Sequence, residues 1–453
     1  MFESILLLIK KNPFLIFMVL MWLLKGRANL KQQLAQRVDI PYQLLPLNLE
    51  FYTYLLNQQK QGRDIILISA SNLKPVRDIS NHMGLFIDSM GSDEQINLKS
   101  HAKLARILQL NQDTGFAYAG NSSADLPIWL EADEVLMVNC NDSLTTRLDA
   151  NGIAIKRFDS SRADLKNFWR AMRPHQWLKN GLVFLPLILA HQVDQLDLVL
   201  QACIGFVSFS LCASSVYFLN DMLDLNSDRQ HISKRFRPFA SGELSLAYGF
   251  IGAPLLLLMA FASSLLLPAE FLLVLFLYWL LTTFYSIALK RLLLIDVLTL
   301  ATLYTARIVA GAAAISVLTT FWLLAFSVFL FAGLAMVKRF TEVSNLLTTD
   351  RTMVDGRAYG TGDLKLLSFV GVGSSLIAVA VFAFYINAPD ITRLYSSPGL
   401  LWLICPLLLL LLGRIWFFAH KGKLDEDPLL FAITDRLSQA LTLLCGLIIW
   451  VAS

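Results

Sequence analysis

The sequence predicts a two-part fold. An N-terminal α/β domain (residues 1–165) precedes an all-α polytopic membrane domain (residues 168–453) of about nine transmembrane helices. Three observations lead there. Apolar residues make up 56% of the chain, which is high for a soluble domain. The excess is confined to the second part, where long apolar runs succeed one another, while the first part carries an ordinary share of charge. Within the first part, short β-branched segments alternate with helical stretches, the pattern of a parallel sheet.

The chain opens with Lys10-Lys11 ahead of the apolar run Phe14–Leu24. That run is short of the roughly 20 residues needed to span a bilayer. It lacks a small-residue cleavage site, which argues against a secretory signal peptide. It reads as an apolar helix that packs on its own domain or lies at the membrane surface. Residues 64–71, DIILISAS, form a strand ending in hydroxyls, and a helix opens near Asn97 and runs through Lys103. Residues 116–126, FAYAGNSSADL, are followed by the strand-like Val135–Asn139. The five cysteines, Cys140, Cys203, Cys212, Cys405 and Cys445, have neither CxxC nor zinc spacing and read as small buried hydrophobes.

Spans are expected at 180–192, 198–219, 247–267, 271–288, 293–314, 321–337, 366–387, 399–418 and 433–452. The charges test this assignment. With residues 1–170 in the cytoplasm, the cytoplasmic connections hold Arg229, Lys234, Arg235, Arg237, Lys290, Arg291, Lys338, Arg339, Arg351, Arg357, Lys365, Arg414, Lys421, Lys423 and Arg436. The opposite side holds only Arg393, the bias of the positive-inside rule. The expected location is thus a cell membrane, with the N-terminal domain facing the cytoplasm. A net charge of +4 is too small to suggest nucleic acid.

At the cytoplasmic end of the second span lies NDMLDLNSDRQHISKRFRPFASG, residues 220–242. Asp221, Asp224 and Asp228 recur at spacings of three and four, which on a helix places three carboxylates on one face. Like charges so placed call for a cation. Mg²⁺ suits, because it takes one or two carboxylates, keeps waters and bridges to phosphates. Asn220 is positioned to orient a carboxylate or to offer its carbonyl to the ion. His231, Lys234, Arg235 and Arg237 follow at once, and cations beside a carboxylate–metal cluster suit a diphosphate. The bland alternative is a solvated loop of mixed charge.

A second constellation spans Tyr285-Ser286, Lys290-Arg291, Asp296 and Arg307. Asp296 and Arg307 stand about 16 Å apart along one helix and cannot touch, so each needs another partner. Asp296 reads as a further metal ligand or as a helix N-cap. Arg307 reads as a phosphate or carboxylate contact or as half of a structural ion pair. Arg173-Pro174 through Trp177 and Lys179-Asn180, and Lys338-Arg339, are site residues or interfacial anchors. The loop 341–365, with Asp350, Arg351, Asp355, Arg357 and Asp363, covers the site or is simply solvated.

The arrangement NDxxDxxxD ending in Arg237-Pro238, with the later YSxxLKR element and Asp296, resembles the UbiA superfamily of intramembrane prenyltransferases over residues 168–453. The resemblance implies nine helices around a central cavity, Mg²⁺ held by Asp221, Asp224, Asp228 and Asp296, and diphosphate contacts from Lys234, Arg237, Lys290 and Arg173. The family's second motif is DxxxD, whereas Leu300 stands four residues after Asp296. The stretches RPHQWLKN, DRQHISKRFRP and ARIVAGAAA look closer to the branch that makes polyprenyl-phosphoryl phosphoribose, although the usual HP pair is His231-Ile232 here. In either branch a metal-bound diphosphate departs and a cation-like carbon is trapped. Polyprenyl phosphate or diphosphate, a diphosphate-bearing co-substrate and the bilayer are the expected partners.

In the N-terminal domain the order strand-Ser, Lys, GNSSAD resembles the haloacid dehalogenase-like phosphatases. By that likeness Ser69 and Lys99 bind phosphate, and Asn121 and Asp125 hold Mg²⁺. The family's nucleophile belongs to a DxDGT-type motif that this chain lacks, and Asn121 replaces the usual Asp. An aspartyl-phosphate route needs that carboxylate. Either the natural start lies upstream, or the domain is a truncated remnant, and phosphatase activity is not expected of the chain as it stands. The leading function is transfer of phosphoribosyl or a similar sugar phosphate to polyprenyl phosphate, with aromatic prenylation as the alternative. A secondary transporter fits less well: its sites lie near the midplane in repeated halves, and no inverted repeat is legible here. A membrane-anchored phosphatase would need far fewer spans.

Overall fold

A computed structural model describes residues 1–12, 14–93, 97–111, 115–140, 142–149, 155–159, 164–348, 353, 357–388, 395–424 and 427–452. By packing, the chain divides into two compact units, Met1–Met172 with Tyr217–Gly252 and Arg173–Val216 with Ala253–Ser453. The acid-bearing segment therefore packs with the N-terminal residues, which a division at 165–168 does not express. Asp350, Arg351, Asp355 and Arg393 lie outside the described residues.

Three helices open the first unit: α1 (Phe2–Lys11), α2 (Leu15–Leu24) and α3 (Arg27–Arg37). Ile5 and Leu8, Val19 and Trp22, and Leu30 and Leu34 close one small core, with Phe250 against it. Each pair is three or four residues apart, the spacing that shares a helix face. After α4 (Leu49–Lys60), β1 (Ile66–Asn72), α5 (Leu73–Met83) and β2 (Asp88–Ser92) make a parallel pair. α6 (His101–Asn111) leads to a second parallel sheet of β3 (Ala117–Gly120), β4 (Glu134–Val138) and β5 (Ile155–Phe158), in that order. Parallel neighbours need crossovers, and α5, α7 (Leu126–Trp129) and α8 (Asp142–Asp149) supply them. Tyr118, Val135 and Met137 pack under Ile128, Trp129, Leu144 and Leu148. The expected α/β architecture is present, closed by α9 (Asp164–Met172).

The remainder is helical: a 3₁₀ stretch Pro174–Phe184, then α10 (Leu185–Leu189), α11 (Leu196–Leu223), α12 (Leu225–Gln230), α13 (Leu246–Ser264), α14 (Ala269–Ile287), α15 (Ile295–Ala314), α16 (Phe321–Ser344), α17 (Leu364–Ile386), α18 (Ile404–His420), α19 (Pro428–Thr434) and α20 (Arg436–Ala452). Among the described residues seven helices are long and apolar enough to cross a membrane: Leu196–Leu223, Leu246–Ser264, Ala269–Ile287, Ile295–Ala314, Phe321–Leu347, Thr361–Ile386 and Pro398–His420. Seven of the nine expected spans therefore appear as such. The segment expected at 180–192 is a 3₁₀ turn and a five-residue helix with Pro186 in its first turn. The last is the 17-residue apolar helix Arg436–Ala452, at the short end of the spanning range.

One close approach fixes the packing of α15 in the second unit. A Cβ added at Gly311 would stand 2.0 Å from the carbonyl oxygen of Val183, a backbone atom that cannot swing aside. Overpacking of this kind costs about 1–3 kcal/mol or more. Gly311→Ala is expected to lower the melting temperature of the detergent-solubilised protein by several degrees. Gly373→Ala, whose Cβ meets nothing within 4 Å, leaves it unchanged. Equal melting temperatures for the two variants would contradict this packing.

Candidate active site

In the first unit, α11 stops at Leu223 and α12 begins at Leu225. Asp224 occupies the joint, at φ −92° and ψ 10°. The expected single helical face is thus interrupted, although Asp224 still bonds to the carbonyl of Asn220 (2.9 Å) and Asp228 to that of Asp224 (2.8 Å). The residues brought together are Asp221 and Asp228, both buried. One guanidinium nitrogen of Arg237 donates to Asp221 Oδ1 at 3.1 Å and to Asp228 Oδ2 at 2.6 Å. Arg237 is thus the cation that the clustered acids demand. Burial pushes the Asp228 carboxyl above the usual carboxylate range, against the pull of Arg237.

Asp224 is half-buried at the joint, and among the described residues no group of three His, Cys, Asp or Glu side chains stands close enough to hold a metal ion. Beside the pair, Asn220 Oδ1 is buried and has no hydrogen-bond partner among the described residues. It is an acceptor oxygen without a donor, which suits a cation. The basic tail folds back through His231, whose Nδ1 accepts from the backbone of Ser233 and Lys234. Lys234 is half-buried in the turn Lys234–Phe236.

In the second unit, Asp296 is fully buried in the first turn of α15. Its Oδ1 accepts from the Tyr285 hydroxyl (2.8 Å), Arg339 Nη2 (3.1 Å) and Arg357 Nη1 (3.3 Å), and its Oδ2 from Arg339 Nε. Glu342 takes Arg339 Nη1 at 2.6 Å and Arg357 Nε at 3.5 Å. An ionised carboxylate offers about four lone-pair directions, and donors occupy them here. Two guanidinium groups thus stand beside Asp296, where the sequence led to the expectation of a metal ion. Asp296 is not the N-cap, since that position is Leu294. The pairing is legible afterwards in α16, where Arg339 and Glu342 stand three residues apart near the end of a largely apolar helix.

Arg307, expected at a phosphate or carboxylate, instead donates to Asn180 Oδ1 (2.9 Å), the Tyr278 hydroxyl (3.0 Å) and the Leu303 carbonyl. Its guanidinium also faces the Tyr278 and Tyr304 rings at 5.1 and 5.3 Å. Neutral groups and aromatic faces take up its donors and charge. Lys179, expected at the substrate, is ion-paired with Asp427. Lys290 is half-buried in the 3₁₀ turn Leu289–Arg291, and Arg173 adopts a left-handed backbone at φ 56°.

The phosphatase-like residues of the first unit are also redistributed. Ser69 Oγ accepts from the backbone of Ser71, and Lys99 is exposed. The buried lysine is Lys103, which donates to Asp125 Oδ1 (3.3 Å) and to the Tyr118 hydroxyl (2.8 Å). Asp125 Oδ2 accepts from the backbone of Asn121 and Ser122 and from the Ser122 hydroxyl. Burial pushes the Asp125 carboxyl up, but Lys103 and these donors prevail and hold it below the usual range. Where a Mg²⁺ site of Asn121 and Asp125 was expected, Asp125 closes a helix cap and a buried ion pair, and Asn121 contributes its backbone.

Comparison with known proteins places the molecule. The UbiA prenyltransferase family model matches residues 182–435. The uncharacterized protein y4nM of Sinorhizobium fredii is 35% identical over 91% of this chain and 80% of its own length. A decaprenyl-phosphate phosphoribosyltransferase of Mycolicibacterium smegmatis is 26% identical over 60% of this chain and 88% of its own. Among solved structures, a UbiA homolog from Archaeoglobus fulgidus bound to DMAPP and Mg²⁺ aligns with a TM-score of 0.48 at 16% identity, over 63% of this chain and 97% of that one. With seven membrane-length helices and a family model covering more than half its length, the chain is a multi-pass membrane transferase and belongs to the UbiA prenyltransferase family.

Proposed function

We propose that this transferase moves a phosphoribosyl or similar sugar-phosphate group from a diphosphate donor to a polyprenyl phosphate, with Mg²⁺, at the cytoplasmic face of the cell membrane. The observation that carries the reading is the saturation of Asp296 by Arg339 and Arg357, with Leu300 where a second carboxylate would stand. The second acidic motif is here a guanidinium anchor. A sugar-phosphate diphosphate and a polyprenyl phosphate together bring more phosphate charge than a prenyl diphosphate and an aromatic acceptor. Arg357, the more exposed of the two guanidinium groups, remains able to meet phosphate. The similarity to the mycobacterial phosphoribosyltransferase supports the same choice, and the basic bias of the 1–170 side supports the orientation.

In this reading Asp221 and Asp228 would hold Mg²⁺, with Asn220 Oδ1 as a neutral third oxygen and Asp224 as a candidate further ligand. Bound there, the ion supplies charge neutralisation for a departing diphosphate. Arg237, released from the two carboxylates by the ion, would bind the diphosphate with Lys234. Asp296 and Glu342 hold the partly exposed Arg357 for the donor's phosphates, and the buried Arg339 fixes the two carboxylates in place. The bond from the sugar's anomeric carbon to the diphosphate oxygen breaks, diphosphate leaves with the electron pair, and an oxygen of polyprenyl phosphate makes the new bond.

Membranes carrying the protein are expected to pass label from phosphoribosyl diphosphate into the lipid phase when polyprenyl phosphate is added. Prenylation of an aromatic acceptor from labelled prenyl diphosphate, without sugar transfer, would sink the reading. Asp221→Asn and Asp228→Asn should each reduce transfer by about 100-fold or more, with unaltered melting temperature; full turnover in both would remove the metal assignment. Asp296→Asn is expected to raise KM for the diphosphate donor while the Mg²⁺ concentration for half-maximal rate stays constant. A shift in that Mg²⁺ requirement would instead make Asp296 a metal ligand.

A further inference from the structure

We propose that α2 is an in-plane membrane anchor of the N-terminal unit, seated among the head groups of an anionic bilayer leaflet. All ten residues of α2, LIFMVLMWLL, are apolar, yet only Val19 and Trp22 are buried in the unit's own core. Phe17 is 65% exposed, and Leu24 beyond it 89%. Phe14, just ahead of the helix, is 77% exposed. Ile16, Met18, Leu20, Met21 and Leu23 are also exposed. Soluble surfaces scatter such residues singly; a contiguous band marks a binding face. A helix of this length rises about 15 Å, half of a hydrocarbon core, so it lies along the membrane rather than across it.

Two further observations select lipid over another occupant. The first is anchorage within the same unit. The core that α2 shares with α1 and α3 packs against Phe250, in the first turns of α13, and the Phe2 ring meets that of Phe250 at 5.3 Å. Lys10 Nζ donates to the carbonyl of Leu223, the last residue of α11, at 3.1 Å. Glu3 pairs with Arg229, in α12 just beyond α11, at 2.6 Å. Both α11 and α13 have the length and composition of membrane spans. The helical layer is thus pinned to span ends, the level at which hydrocarbon gives way to head groups.

The second observation is charge. Exposed Lys10 and Lys11 precede the apolar band, and exposed Lys25 follows it. Anionic head groups attract such flanking cations, while two copies of this face meeting each other would oppose like charges.

The full wild-type chain tests this in nanodiscs that contain a phosphatidylcholine with a photoactivatable diazirine on its acyl chain. Carbene adducts are expected on residues 14–24 at a level comparable with the span peptides. Their yield should rise several-fold when about one third of the lipid is phosphatidylglycerol. Labelling of 14–24 no stronger than that of strand residues 117–120 would overturn the proposal. So would chain-to-chain adducts, in place of lipid adducts, from a benzophenone amino acid at position 17. Neither measurement depends on enzymatic turnover, so it stands or falls apart from the assigned reaction.

Discussion

The second unit depends on burying Asp296 and Arg339 together. Both are essentially inaccessible, at 0% and 1% exposure. In a helical membrane protein such charges have no water to turn to, and leaving either unpartnered would cost several kcal/mol. The solution draws on three consecutive helices: Tyr285 comes from α14, Asp296 from α15, and Arg339 with Glu342 from α16. Arg357 adds a second guanidinium from beyond α16. Rotating α15 or α16 would strand a charge in hydrocarbon, and rotating α14 would remove a donor from Asp296. The pairing sets orientation more than it adds stability, because its Coulomb gain is largely consumed by desolvation.

The first unit repeats the principle on a smaller scale. Lys103, Tyr118 and Asp125 form a closed group, joining α6 to β3 and to the turn before α7. Arg237 does the same for Asp221 and Asp228, but less completely: it is partly exposed, and Asn220 Oδ1 beside it lacks a donor. The two arrangements differ in kind. The Lys103 group satisfies its acceptors and behaves as scaffold, whereas the Arg237 group leaves acceptor capacity and access, the condition for binding something from outside.

The sequence made some of this legible. Apolar runs of span length identified seven helices because hydrophobic length alone decides them. The β-branched strand segment at 64–71 and the acids at 220–228 were likewise visible as local patterns. Partner choice was not. Arg339 looked like an interfacial anchor from its place near the end of a run, but it reaches back to Asp296, 43 residues earlier. Lys99 follows from the phosphatase resemblance, but it lies exposed ahead of α6, and the buried lysine is Lys103 inside that helix. Arg307 was read as needing an anion, but aromatic rings and amides suffice to bury a guanidinium. The break at Asp224 escaped notice because spacings of three and four read equally well through a joint between two helices.

Arg237 also has a thermodynamic consequence. A guanidinium already seated between two carboxylates competes with any incoming cation for the same oxygens. In the proposed reaction a free ion would have to evict it and leave it without a counter-charge, whereas an ion arriving with a diphosphate would bring the evicted group a replacement anion. Such a site would disfavour the ion alone and favour the ion and anion as a pair, coupling occupancy of the two without any movement of the helices that carry them.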